Sequence, residues 1–168
     1  MIFVLTGCAG AIQNDVFLST VKKDYPDILN ANILHISKVN FLIQESHMLC
    51  GDLVPGVYVH TKKEIIFFKA QKDNKFIESY KIPLKDIARI QFSSVGLNGF
   101  IRQVWFSDKA KRIIASFSND PGILAGSKQN TEMVLELFRQ SGLKIESINV
   151  SWSRCNNDDY PSPITITM

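Results

Sequence analysis

Apolar residues gather into short runs that recur every ~8 to 12 residues along the middle of the chain, the spacing of an antiparallel sandwich or barrel. Val57, Tyr58, Val59, His60 and Thr61 form one β-rich run after the turn pair Pro55-Gly56. Lys62 and Lys63 make a tight connection to the next, EIIFFK at 64–69. QKDNK at 71–75 is turn chemistry, because Asp73 and Asn74 tolerate the left-handed conformation of a hairpin. Phe76, Glu78 and Tyr80 open a further strand, in which Pro83 lacks an amide and suits an edge or a bulge. Residues 88–92 resume that strand, and SSVGLNG at 93–99 reads as a loop. Residues 100–106 and 111–117 predict a hairpin around Ser107, Asp108 and Lys109.

The pattern then changes period. Met133, Val134, Leu137 and Phe138 share one face of a helix over 132–141, with Asn130 or Thr131 as its cap. Glu132 favours the positive end of that helix and Gly142 ends it. Residues 144–152 alternate as one more strand, and Pro161 and Pro163 break up the tail. At the other end, Asn14 caps a short helix over 15–23 that Asp24-Tyr25-Pro26-Asp27 stops. NILHISKVNFLIQESHML at 32–49 alternates poorly, and the pattern predicts a strand at 33–37 followed by a turn or helical piece through Glu45.

Composition narrows the class. A chain of 168 residues is about one domain long, and 45% hydrophobic with 21% charged residues is ordinary for a folded protein. A net charge of +3 is too slight to imply nucleic acid as a partner. No run of ~20 apolar residues occurs to span a bilayer. Eleven Phe beside two Trp and four Tyr read as core filling.

The first ten residues, MIFVLTGCAG, bear on location. Leu5-Thr6-Gly7-Cys8 has the form of a bacterial lipobox, in which small residues let a peptidase approach the backbone and the cysteine becomes the acylated N-terminus. Seven residues precede Cys8 and none is basic, so this is half of an export signal. The lipoprotein reading expects a start codon upstream of Met1. The other reading takes Met1 as the start and residues 2–5 as a short buried strand. Lipidation of Cys8 would leave Cys50 and Cys155, either paired as a disulfide in an oxidising compartment or two buried thiols that never meet. Ala9 after the cysteine, not an acidic residue, points to the outer membrane.

Candidate chemistry is thin. His35, His47 and His60 are scattered without metal-ligand spacing, which predicts satisfied or exposed histidines, no metal site and no cofactor. Cys50 with His47 lacks the helix that would pair them as nucleophile and base. Gly96-Leu97-Asn98-Gly99 reads as a turn, and Asn156-Asn157-Asp158-Asp159 lacks the spacing of a calcium loop. No catalytic residue is assigned, and the expectation is a protein that is not an enzyme. Lys62 and Lys63 on one hairpin tip, with Lys69, Lys72 and Lys75 about the next, form a candidate patch for an anionic headgroup. The competing reading is that lysines guard exposed hairpins against pairing with neighbours.

Two stretches carry a family resemblance. GVYVHTKKEIIFF (56–68) and YKIPLKDIARIQF (80–92) resemble the strand signatures of GRAM and bacterial pleckstrin-homology-like domains, as does the order of several strands and then one amphipathic helix. The resemblance covers about residues 48–143. It implies a mainly β fold with a capping C-terminal helix (α+β), a pleckstrin-homology-like β-sandwich or partly open barrel, in which Leu137 and Phe138 are buried. The expected organisation is a lipoprotein signal remnant at 1–8, a helical or extended segment at 9–47, the β domain at 48–143, and a strand and tail at 144–168. The expected function is a lipoprotein of the cell envelope, in the outer membrane facing the periplasm. It would be tethered to the membrane through Cys8, with a non-catalytic domain binding an unidentified protein. The alternative is a cytosolic domain of the same fold, without an anchor, binding a protein or an anionic lipid headgroup.

Overall fold

The runs GVYVH and EIIFF have no polar face to turn outward, and in the folded chain both of their sides are covered. The computed structural model describes residues 17, 19, 23–30, 32–45, 53–72, 75–96, 99–117, 126–151 and 164–165. Strand β2 (Val54–Thr61) is buried at every position from Gly56 to Thr61, and β3 (Glu64–Ala70) from Ile65 to Phe68. Strands covered on both faces read as continuous apolar runs. The two form a hairpin with Tyr58 opposite Phe67 and His60 opposite Ile65. Thr61 Oγ1 shapes its turn by accepting from the amides of Lys63 at 3.2 Å and Glu64 at 3.0 Å.

The molecule is mainly β, as the sequence predicts. A short helix, α1 (Pro26–Asn30), leads into β1 (Ile33–Glu45). After β2 and β3 come β4 (Phe76–Pro83), a 3-10 turn at Leu84–Asp86, β5 (Arg89–Val95), β6 (Ile101–Ser107) and β7 (Lys111–Ser116). The 13-residue helix α2 (Lys128–Gln140) and strands β8 (Ile145–Ile148), β9 (Val150–Ser151) and β10 (Ile164–Thr165) follow. Eight strands form one sheet in the order β4-β3-β2-β1-β7-β6-β5-β8, antiparallel except for β5 with β8. The sheet curls like a partly open barrel. Its concave side joins Tyr58, Ile65 and Phe67 from one half with Val104, Phe106 and Ile113 from the other, and α2 adds Val134, Leu135 and Phe138. On the convex side Phe17, Ile28 and Tyr25 cover Val57, Val59, Ile66 and Phe68, with the Phe17 ring 5.4 Å from that of Phe68.

Pro83 ends β4 at the edge of the sheet, as its missing amide requires. Phe100 is exposed, because β6 begins one residue later. Ser93, Ser94 and Val95, expected in a loop, extend β5, and the turn begins at Gly96 with φ +86°.

Three expectations are corrected. Residues 33–45, expected to turn helical midway, are one strand of 13 residues. Its poor alternation has a structural cause: residues 33–41 pair with β2, residues 40–45 with β7, and the register slips between Ile33 and His35. The unit drawn at 48–143 therefore omits β1, which joins the two halves, and β8, which pairs with β5. Helix α2 starts at Lys128, capped by Ser127, whose hydroxyl accepts from the amide of Asn130 at 3.3 Å. At its other end Gly142 (φ +76°) donates to the Arg139 carbonyl and Leu143 to that of Phe138, the double bond of a glycine stop.

Candidate functional site

Strand β1 begins and β2 ends at the mouth that α2 covers. The register places His35 opposite His60 there. Both imidazoles are buried, His35 at 9% exposure and His60 at 0%. His60 Nδ1 is 2.8 Å from the hydroxyl of the fully buried Tyr58, and its ring centroid is 4.7 Å from that of Phe138 on α2. The Nε2 atoms of both histidines have no hydrogen-bond partner. Leaving a buried polar atom unsatisfied costs about 1–3 kcal/mol. Of the histidines expected to be satisfied or exposed, His35 and His60 are buried with Nε2 unpartnered, and His60 is satisfied only at Nδ1, through Tyr58.

The electrostatics follow from this burial. Dehydration of the charged form, with His35 as a like charge beside it, lowers His60 to about 4. Burial lowers His35 too, and raises Tyr58 well above the ordinary phenol range. Near neutral pH the mouth therefore holds two uncharged imidazoles.

Beside the mouth lies an open groove of about 510 Å³ between β1 and α2. Leu34 and His35 line it on the strand side, and Met133, Leu137, Glu132 and Glu136 on the helix side. Leu34 is 43% and Met133 40% exposed, so large apolar side chains face solvent here. Leu34 is the extra residue at the register slip, and such a bulge re-aims a side chain. Met133, expected on the buried face of the helix, is thus turned to this groove; Leu137 is half-buried, while Phe138 is fully buried as expected. Arg139 contacts both Glu132 at 3.7 Å and Glu136 at 3.3 Å, leaving one carboxylate in surplus.

Across the concave side, Tyr80 on β4 donates to Asp108 Oδ2 at 2.6 Å, in the β6–β7 turn. Asp108 Oδ1 also accepts from the amides of Ala110 and Lys111. Burial and this hydrogen bond raise Tyr80 to about 12. Burial pushes Asp108 up, but the bonds from Tyr80 and the two amides, with the Lys111 charge, hold it below the usual carboxylate range. This contact closes the curl and reads as structure.

The lysine patch does not assemble. Lys62 and Lys63 sit at the start of β3, while Lys69, Lys72 and Lys75 sit at or beyond its end. Seven residues of strand, roughly 23 Å, separate the two turns. All five lysines are exposed, as expected of residues that guard hairpins. Cys8, Cys50, Cys155 and His47 lie outside the described residues. Among the described residues no group of three or more His, Cys, Asp or Glu is placed to hold a metal ion, and no helix is long and apolar enough to cross a membrane.

No protein family matches the chain, and no curated protein does. Among solved structures the chain is similar to the hSac2 domain from human phosphoinositide phosphatase Sac2. The TM-score is 0.45 at 8% identity, over 87% of this chain and 96% of that one.

Proposed function

We propose that this chain is a membrane-tethered lipoprotein whose pleckstrin-homology-like domain binds another protein and catalyses nothing. The observation that carries the reading is the element order: a four-stranded meander, β1–β4, meets a three-stranded one, β5–β7, where β1 pairs with β7, and α2 plugs the mouth between them. The open, apolar groove beside that plug is where a partner has something to bind. Buried faces explain themselves through packing, whereas Leu34 and Met133 remain in water.

The tether is Cys8, acylated after cleavage between Gly7 and Cys8, and the location is the envelope, with the domain in the periplasm. Phe17 is packed into the convex side of the sheet nine residues later. Nine residues reach at most about 30 Å, so the anchor would keep the domain close to the bilayer. Two acyl chains hold stably where one does not. In this compartment Cys50 and Cys155 are free to pair.

The mass of the mature N-terminal peptide from the native host tests the reading. A diacylated or triacylated Cys8 is expected, and Cys8→Ser should move the protein from the membrane to the soluble fraction. A bare Cys8 in a soluble protein would leave the cytosolic binding domain in its place.

A further inference from the structure

The two edges of the sheet are β4 and β8, but β1 carries a third, partial edge. Residues 33–41 of β1 pair with β2, whereas β7 covers only residues 40–45 on the other side. Strand β7 stops at Ser116, opposite Asn40, and the Ser127 amide, at the start of α2, donates to the Phe117 carbonyl. Among the described residues nothing pairs with 33–39 on that side. In an antiparallel sheet every second residue there presents an amide and a carbonyl outward. This stretch begins at the groove that Leu34 and His35 share with Met133 and Leu137 of α2.

We propose that this slot binds an extended peptide segment of a partner protein, which adds to β1 as a strand where β7 leaves off. The inference rests on the interaction-domain reading above and names its partner chemistry. A stretch of strand with no partner on one side among the described residues calls for another backbone, at the ~4.8 Å spacing of neighbouring strands. The slot is about 23 Å long, enough for six or seven extended residues. An apolar side chain of the segment reaches Leu34, Met133 and Leu137, and a lysine or arginine meets the surplus carboxylate of Glu132 and Glu136.

The other edge of the β1–β4 meander shows what a guarded strand looks like. Strand β4 ends in Pro83, and the Tyr25 hydroxyl already accepts from its Glu78 amide at 3.2 Å. Residues 33–39 carry no proline; Lys38 is their one charged side chain, and Leu34, at the bulge, presents an apolar one to the groove.

The test uses a displayed library of random ten-residue peptides, selected on the full chain, with one enriched peptide then synthesised. Leu34→Glu and Met133→Glu should each weaken its binding at least tenfold while leaving the unfolding midpoint unchanged, since both side chains are already about two-fifths exposed. N-methylation of the peptide should abolish binding at alternate residues and spare those between them. Amide chemical shifts should move along residues 33–39 and α2. Enriched peptides indifferent to both substitutions would overturn the slot, and so would a selection that enriches none. The broader reading is judged apart, by cross-linking the anchored protein in its native host. A partner joined through another face keeps that reading after the slot has failed, and no partner removes both.

Discussion

Lowering the pH from 7.5 to 5 should weaken the fold through the histidines beneath α2. In the unfolded chain a histidine titrates near 6.5 and is protonated at pH 5. In the folded chain His60 titrates at about 4 and stays neutral. The unfolded state therefore binds more protons in this window, so stability is full above 6.5 and falls as the pH drops toward 4. From these two values, His60 alone costs about 2 kcal/mol between pH 7.5 and 5, and about 3 kcal/mol once both states are protonated. His35 adds to this in the same direction. Equilibrium urea unfolding measures it. With a slope of about 2 kcal/mol per molar, the midpoint should fall by about 1 M across this range. His60→Gln keeps a hydrogen-bonding side chain beside Tyr58 but removes the titration, and should flatten most of the response. A wild-type midpoint that holds steady from pH 7.5 to 5, or a variant that shifts as much as wild type, would refute the reasoning.

Three further outcomes follow from the packing. Gly56→Ala should cost about 3 kcal/mol in a urea or thermal melt, because a methyl group there meets the Phe68 carbonyl oxygen and the Phe41 ring. Phe17→Ala should also lose about 3 kcal/mol, since Phe17 is 1% exposed against Phe68 and Phe76; a loss under 1 kcal/mol would mean the convex side does not need its cover. Ser127→Ala should cost about 1 kcal/mol, and Ser127→Asp should restore most of it, if this hydroxyl and not Asn130 or Thr131 caps α2.

Local chemistry was readable wherever one strand meets one partner. The Thr61-Lys62-Lys63-Glu64 turn, the Asp108 turn and the Gly142 stop act through residues three or four apart, and each stands where the sequence pattern places it. Strand β1 was not readable, because it changes partners at Asn40 and slips register at Leu34, so no single alternation runs along it. The cap was misplaced for a smaller reason: Ser127 lies in a small, polar stretch that resembles loop until the helix behind it is fixed. The histidine pair joins positions 25 residues apart, and only the register of β1 on β2 brings them together. One signal was available. His60 is a titratable residue at the end of the apolar run Val57-Tyr58-Val59, in a strand with no polar face to receive it.

The sharing of β1 between both halves also sets the order in which the protein can be made. Strand β1 must wait for β7, whose last residue is encoded 71 positions after Glu45. At a ribosomal pace of about 5–20 residues per second, that interval is roughly 4–14 s. From the time they are made until it ends, Tyr58, Ile65 and Phe67 of the nascent meander face nothing, and the helix that will cover them is translated later still. Apolar surface exposed for that long invites association between nascent chains, so crowding and overexpression should harm its yield well before they harm the finished molecule.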